Sequence, residues 1–259
     1  TKWRDDTPLG KISKWLDRTI PLAHHKFGQV HKIRIRRIIR NMTPRHTGQD
    51  EVQRLCLQLI DGQVGPDAAA TQKALLAFCA LVKKWNPFAS LVSSQDAERL
   101  WLHIADSLSL LETIHRLGGS LPRLFDIGSG AGFPAIPLAL AMPGLQVTMV
   151  ERSRKKAGFL ENALGELALL PRATILQGTF PQEIALEKPG GWLVTARAVE
   201  DPGNLWPGVR ALVQEGATFL CQWPDLPLGA DKMFHVEQLI DDWTQTGLRR
   251  GSLHIIQNR

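Results

Sequence analysis

Apolar positions along the chain follow two regimes. Up to about residue 117 they recur at helical spacing: Val52, Leu55, Cys56 and Leu59, then Leu75, Leu76, Phe78, Leu81 and Val82. Such spacing puts one apolar stripe on each helix. It predicts helices over 49–59, 68–85 and 94–117. Turn residues 62–66 separate the first two, and Ser94 or Asp96 is the candidate cap of the third. From residue 123 short apolar runs alternate with helical patterns. Strands are expected at 123–127, 147–151, 174–177, 192–196, 218–222, 236–240 and 253–256. Helices are expected at 133–141, at 153–168 with Ser153 as N-cap, and at 207–214. Alternation of this kind specifies an α/β fold: a mainly parallel seven-stranded sheet with helices on both faces, closed by an antiparallel edge pair.

Three segments result: a basic extension over 1–41, a helical cap over 42–120 and a sheet core over 121–259. The length suits one large domain, or one domain plus an arm. Of the charged residues, 11 Lys/Arg and only 3 Asp fall in residues 1–41, whereas the remaining 218 residues hold 20 Lys/Arg against 22 Asp/Glu. All the excess positive charge therefore lies in the arm, densest from His31 to Arg40. Three readings of it stay open: an RNA-binding arm, a targeting peptide (against which Asp5, Asp6 and Asp17 count), or sequence upstream of a start at Met42. Cys56, Cys79 and Cys221 show no metal-ligand or disulfide spacing, which leads us to expect a cytoplasmic protein without a metal. No run of 18 apolar residues suggests a membrane span.

Residues 124–132 read Leu-Phe-Asp-Ile-Gly-Ser-Gly-Ala-Gly. Glycines at 128, 130 and 132 allow a sharp turn and close approach of backbone to a ligand. Pro134 stands near the start of the following helix, where a missing N–H has no cost. Glu151 lies 19 residues past Gly132, the offset of a carboxylate that bonds a ribose. Strand, glycine turn, helix, strand and acid make one nucleotide-binding unit. The G-x-G-x-G form preceded by Asp126 points to S-adenosyl-L-methionine (SAM), which lacks phosphate. An ordinary glycine turn and a dinucleotide site are the other readings.

The segment from about residue 75 onward resembles the RsmG (GidB) family of small-subunit ribosomal RNA methyltransferases. The resemblance rests on Lys84-Trp85-Asn86, on His103-Ile104-Ala105-Asp106-Ser107 and on the run Asp126 to Leu138 with its second proline, Pro137. It continues in Ser153-Arg154-Lys155-Lys156, Phe159-Leu160 and Arg197-Ala198. It implies a Rossmann-like SAM-dependent methyltransferase fold and methyl transfer to N7 of a guanine in 16S ribosomal RNA near the decoding region. The implied partner is 16S rRNA or the 30S subunit, and the protein is expected to act as a monomer. Cofactor contacts are expected on Asp126, Gly128, Ser129, Gly130, Gly132, Phe133, Glu151, Phe180, Pro181 and Arg197. Thr179, Pro181 and Gln222 depart from the family pattern, which keeps another RNA, a small molecule or a non-catalytic RNA-binding role as alternatives.

Individual residues are open to more than one role. Asp126 would hold the glycine loop near the methionine end of the cofactor, or bond loop amides only. Glu151 would take the ribose hydroxyls. Phe180 would pack on the adenine face or lie in the core. Arg197 is the candidate catalytic and RNA-facing residue, since a guanidinium at a strand's carboxyl end can fork onto phosphate or a guanine edge; a salt bridge within the sheet is the plainer reading. Lys155 and Lys156 would contact RNA or form a solvated helix face. His103 would bridge cap and core. Guanine N7 attacks a sulfonium methyl through an in-plane lone pair and loses no proton, so orientation is the main requirement. The target base would be presented unpaired or flipped.

Overall fold

The computed structural model describes residues 68–117, 122–197, 202–223, 225–227, 229–239 and 252–259, with 50, 52–54, 56, 57 and 60. The basic arm and Met42 lie outside these residues. Within the first expected helix, the described residues 50, 52–54, 56 and 57 are all helical, as is 60 just past its expected end.

Seven strands form: β1 (Arg123–Ile127), β2 (Gln146–Glu151), β3 (Ala173–Gln177), β4 (Trp192–Thr195), β5 (Thr218–Cys221), β6 (His235–Leu239) and β7 (Leu253–Gln257). Their order is β3-β2-β1-β4-β5-β7-β6. Strands β1 to β5 are parallel, and β7 is antiparallel to both β5 and β6. The closing pair is antiparallel as its sequence suggests, but β7 inserts between β5 and β6. Composition explains the order: β7 carries the buried run Leu253 to Ile256, whereas β6 carries His235, Glu237 and Gln238 and tolerates the edge.

Successive strand side chains point to opposite faces. Leu124, Met149, Leu193, Leu220 and Ile255 therefore share one face, and Phe125, Val150, Val194, Phe219 and Ile256 the other. On the first face pack α1 (Ala68–Ala89), α3 (Leu100–Leu108), α4 (Leu111–Leu117), α5 (Ala135–Ala141) and α6 (Arg154–Glu166), while the short α2 (Ser94–Ala97) buries no residue. Leu75, Phe78 and Val82 of α1 and Ile104 and Leu108 of α3 are fully buried in the same core as that sheet face. On the second face α7 (Pro202–Gln214) buries Leu205, Trp206, Val209 and Val213, and the short α8 (Ala230–Met233) follows β5.

Several elements differ from their sequence patterns. Helix α1 runs four residues past the expected end, through Pro87. Asn86 secures its exit: its carbonyl accepts from the Ser90 N–H and its side-chain oxygen from the Val92 N–H. The expected helix over 94–117 is three helices. Neither Ser94 nor Asp96 caps it; Ser93 does, accepting the Asp96 N–H at 3.1 Å. Ser107 and Ser109 donate their hydroxyls to the carbonyls of His103 and Asp106, a local competition that weakens the helix where α3 gives way to α4. Helix α7 includes the expected 207–214 stretch and extends back to Pro202, a residue well suited to a first helical position.

Candidate functional site

A cleft of about 490 Å³ opens at the carboxyl ends of β1 to β4. It lies where β1 has β2 on one side and β4 on the other, the switch point at which open α/β sheets bind ligands. Its floor is Gly128 to Ala131 with Phe133; Glu151, Arg152 and Lys156 supply one wall. Gly178, Thr179, Phe180 and Gln182 follow β3, and Arg197 follows β4. The remaining wall comes from Asn204 and Leu205 of α7 and from Leu91, Val92, Asp96 and His103 of the cap.

Gly128, Gly130 and Gly132 all have positive φ, at 72°, 55° and 84°, which only glycine adopts without strain. The loop turns tightly because its amides are bonded within the chain. Gly128 and Ser129 N–H donate to the Val150 carbonyl at 2.9 and 3.0 Å, Gly130 N–H to Glu151 Oε2 at 2.8 Å, and Gly132 N–H to the Ser129 carbonyl at 2.7 Å. The second carboxylate oxygen of Glu151 accepts the Ser153 N–H at 2.8 Å. Glu151 thus ties the glycine loop to the start of α6, and its remaining lone pairs stay on the cleft wall.

Asp126 lies beneath the loop, 1% exposed. Thr195, its register partner on β4, donates its hydroxyl to Asp126 Oδ1 at 2.7 Å. Oδ2 is buried and has no hydrogen-bond partner among the described residues. Burial pushes the carboxyl up to about 6; hydrogen bonding from Ser129 and Thr195 and the Arg197 charge oppose this.

Arg197 points to the cap side of the sheet. Its Nη1 donates to Asp106 Oδ2 in an ion pair whose side chains are 14% and 3% exposed. Nη2 lies 3.1 Å from His103 Nδ1, and His103 Nε2 is 3.3 Å from Asp96 Oδ1. The guanidinium carbon sits 5.4 Å from the centroid of the Phe133 ring. Gln222 Nε2 reaches the other Asp106 oxygen at 3.4 Å. Spacing explains the pairing: His103 and Asp106 are three apart on α3 and share a face.

Seven of the ten cofactor candidates line the cleft: Gly128, Ser129, Gly130, Phe133, Glu151, Phe180 and Arg197. Asp126, Gly132 and Pro181 stand behind this first layer. A Cβ on Gly132 would meet Ile136 Cδ1 at 2.6 Å, so Gly132 allows loop and helix to close up. Pro181 packs against Gly208, where a Cβ would lie 2.8 Å from its Cγ. Of the lysines, Lys156 is on the wall and Lys155 is exposed outside it. Arg197 is paired with the cap rather than within the sheet, and His103 does bridge cap and core. Sequence reasoning missed Leu91, Val92, Asp96, Arg152, Gln182 and Asn204. The only local signals were the position of Leu91 and Val92 just after a helix end and of Asn204 in a first helical turn.

Among the described residues no group of three His, Cys, Asp or Glu is placed to hold a metal, and no helix is long and apolar enough to cross a membrane. A phosphate ligand would need unengaged loop amides. The four N–H groups named above are all engaged internally, and a carboxylate stands where a ribose would lie. A phosphate-free nucleoside suits this arrangement. With the sheet order and the antiparallel β7, it defines the class: a Rossmann-like methyltransferase dependent on S-adenosyl-L-methionine.

Comparison with known proteins specifies the family. A family model described as "GidB: rRNA small subunit methyltransferase G" matches residues 71–222. The ribosomal RNA small subunit methyltransferase G of Leptothrix cholodnii is 33% identical over 175 residues, covering 64% of this chain and 78% of that protein. Its counterpart in Paracoccus denitrificans is 34% identical over 171 residues, covering 65% and 82%. A precorrin-6y C5,15-methyltransferase structure from Geobacter metallireducens is 20% identical with a TM-score of 0.39, over 64% of this chain and 88% of that one. The chain belongs to the rRNA small subunit methyltransferase G (GidB) family.

Proposed function

We propose that this protein transfers a methyl group from SAM to N7 of a guanine in 16S ribosomal RNA, as the free RNA or within the 30S subunit. The observation that carries the cofactor half is the amide-closed glycine loop facing Glu151. Family membership supports an RNA substrate. When bound, SAM supplies an electrophilic sulfonium methyl. Gly128 and Gly130 admit the ligand backbone closely, Glu151 offers its free lone pairs to ribose hydroxyls, and Phe180 flanks the adenine. The orphaned Asp126 Oδ2, under the loop, fits a cationic group at the methionine end.

The chemistry proposed suits what the cleft holds. N7 of guanine needs no proton removed, so the protein's task is orientation. A thiolate route to a pyrimidine carbon is disfavoured. Cys221 is buried on the opposite sheet face, and burial pushes its thiol up to about 11. Cys79 is likewise pushed up to about 12. Incubation with methyl-labelled SAM and unmodified 16S rRNA or 30S particles, followed by mapping of N7-methylguanine, tests the reading. Label at one guanine is expected; label only on other RNA, or on a base other than guanine, would overturn it.

A further inference from the structure

Arg197 is the obvious cation at the reacting end of the cleft, and a phosphate contact is its simplest assignment. Its surroundings argue otherwise. Asp106, itself almost wholly buried, neutralises it through a direct ion pair. The second nitrogen of its fork directs one N–H to His103 Nδ1 at 3.1 Å. His103 Nε2 lies 3.3 Å from an Asp96 carboxylate oxygen, and its ring stacks tilted on Phe133 at 5.2 Å between centroids. The guanidinium therefore reaches the cleft as a flat, fixed group on the Phe133 ring, with its charge already compensated. Lys156, on the opposite wall, has no comparable arrangement among the described residues and is four residues from Arg152, which also lines the cleft.

We infer that His103 and Asp106 of α3 are positioning residues that clamp Arg197 over Phe133, so that Arg197 orients the target base and does not bind phosphate. The inference rests on the rRNA reading above and assigns the division of labour within its site. The cap then belongs to the reaction site: α3 sets the orientation of a residue 91 positions away in sequence. The arrangement also explains why these residues occur as His-x-x-Asp. A helix face must present an acceptor nitrogen and a carboxylate to two adjacent nitrogens of one guanidinium.

Two measurements on the full chain separate the roles. The first is the salt dependence of binding to a 16S rRNA transcript. Loss of one phosphate contact lowers the slope of log K against log salt by about 0.7 to 0.9. Lys156→Gln is expected to do so, and Arg197→Gln to leave the slope at the wild-type value. The second is single-turnover transfer per bound SAM. Arg197→Gln, Arg197→Lys and Asp106→Asn are each expected to lose at least tenfold in rate at saturating SAM. Asp106→Asn/Arg197→Gln should be no slower than the worse single variant, because the residues act as one unit. Asp106→Glu should recover part of the rate. A drop in salt slope for Arg197→Gln equal to that of Lys156→Gln overturns the clamp. So does wild-type transfer per bound SAM in Asp106→Asn, which would make the pair a fold brace only. Wild-type protein that binds rRNA but transfers no label sinks the rRNA reading alone; the slope comparison still decides the clamp.

Discussion

The Gly130 amide donates to Glu151 Oε2 at 2.8 Å, across 21 residues. One bond thus joins the glycine turn after β1 to the acid that ends β2 and sets the width of the cleft between them. Glu151 has both a structural bond to the loop and a place on the cleft wall, so its substitutions should separate charge from shape. Glu151→Gln keeps an acceptor but loses the charge. A hydrogen bond to a charged group contributes about 1.5–3 kcal/mol, so SAM affinity measured by calorimetry should fall roughly 10- to 100-fold. Glu151→Ala should also lower the melting temperature, because two backbone N–H groups lose their acceptor.

Gly130 and Gly132 should fail in different ways. Around Gly130 a Cβ meets only Gly128 O at 3.8 Å, but φ is +55°. Gly130→Ala is therefore strained by about 1–2 kcal/mol, and Gly130→Arg projects into the cleft and should abolish SAM binding in a protein that still folds. At Gly132 a Cβ comes within 2.6 Å of Ile136 and 3.3 Å of Leu160. Gly132→Val should unfold the chain at lower denaturant before any ligand is added. Equilibrium unfolding beside SAM titration distinguishes the two.

Asp126 predicts a pH dependence with a definite sign. Its folded value, about 6, lies above the ordinary 3.8. Between these pH values the folded state binds more protons than the unfolded one, so stability falls as pH rises through the window and is flat on either side. Two pK units correspond to about 3 kcal/mol. Asp126→Asn keeps an acceptor for Thr195 and has no charge to bury. Relative to wild type, the ligand-free variant should gain stability between about pH 4 and pH 6 and hold that gain at pH 7. Chemical denaturation at pH 4, 5, 6 and 7 reads this; a difference that does not change with pH would refute it.

Gly208 gives a remote route to the cleft. A Cβ there would lie 2.8 Å from Phe180 Cε1 and Pro181 Cγ. Gly208→Val should push Phe180 toward the ligand space, raising the SAM dissociation constant more than it lowers the melting temperature. Gly208→Val combined with Phe180→Leu should recover part of the affinity.

How much of this was legible beforehand depended on distance along the chain. The glycine loop, its helix and Glu151 lie in one βαβ stretch of under 30 residues, and each has a local signature: positive-φ glycines, an apolar run, an acid at a strand end. The strands were legible to within a residue or two because most are short, near-continuous apolar runs, as strands covered on both faces must be. The breaks within 94–117 were not. At the break between α3 and α4, serine hydroxyls bond backbone carbonyls, and such bonds are not visible as a change in apolar spacing. The insertion of β7 beside β5 was equally hidden, since neighbouring strands in space need not be neighbours in sequence.

By itself the sequence determined the alternation of strands and helices, the glycine turn after β1 and the carboxylate after β2, since these follow from steric and periodic rules acting over a few residues. Tertiary structure decided what Arg197 faces. Its charge pairs with Asp106 rather than standing open to solvent, because the cap packs on the same sheet face toward which Thr195 and Arg197 project. It also decided that Glu151, more than Asp126, holds the loop. Both outcomes depend on side chains brought together by burial of a shared core, and burial is set by the whole chain.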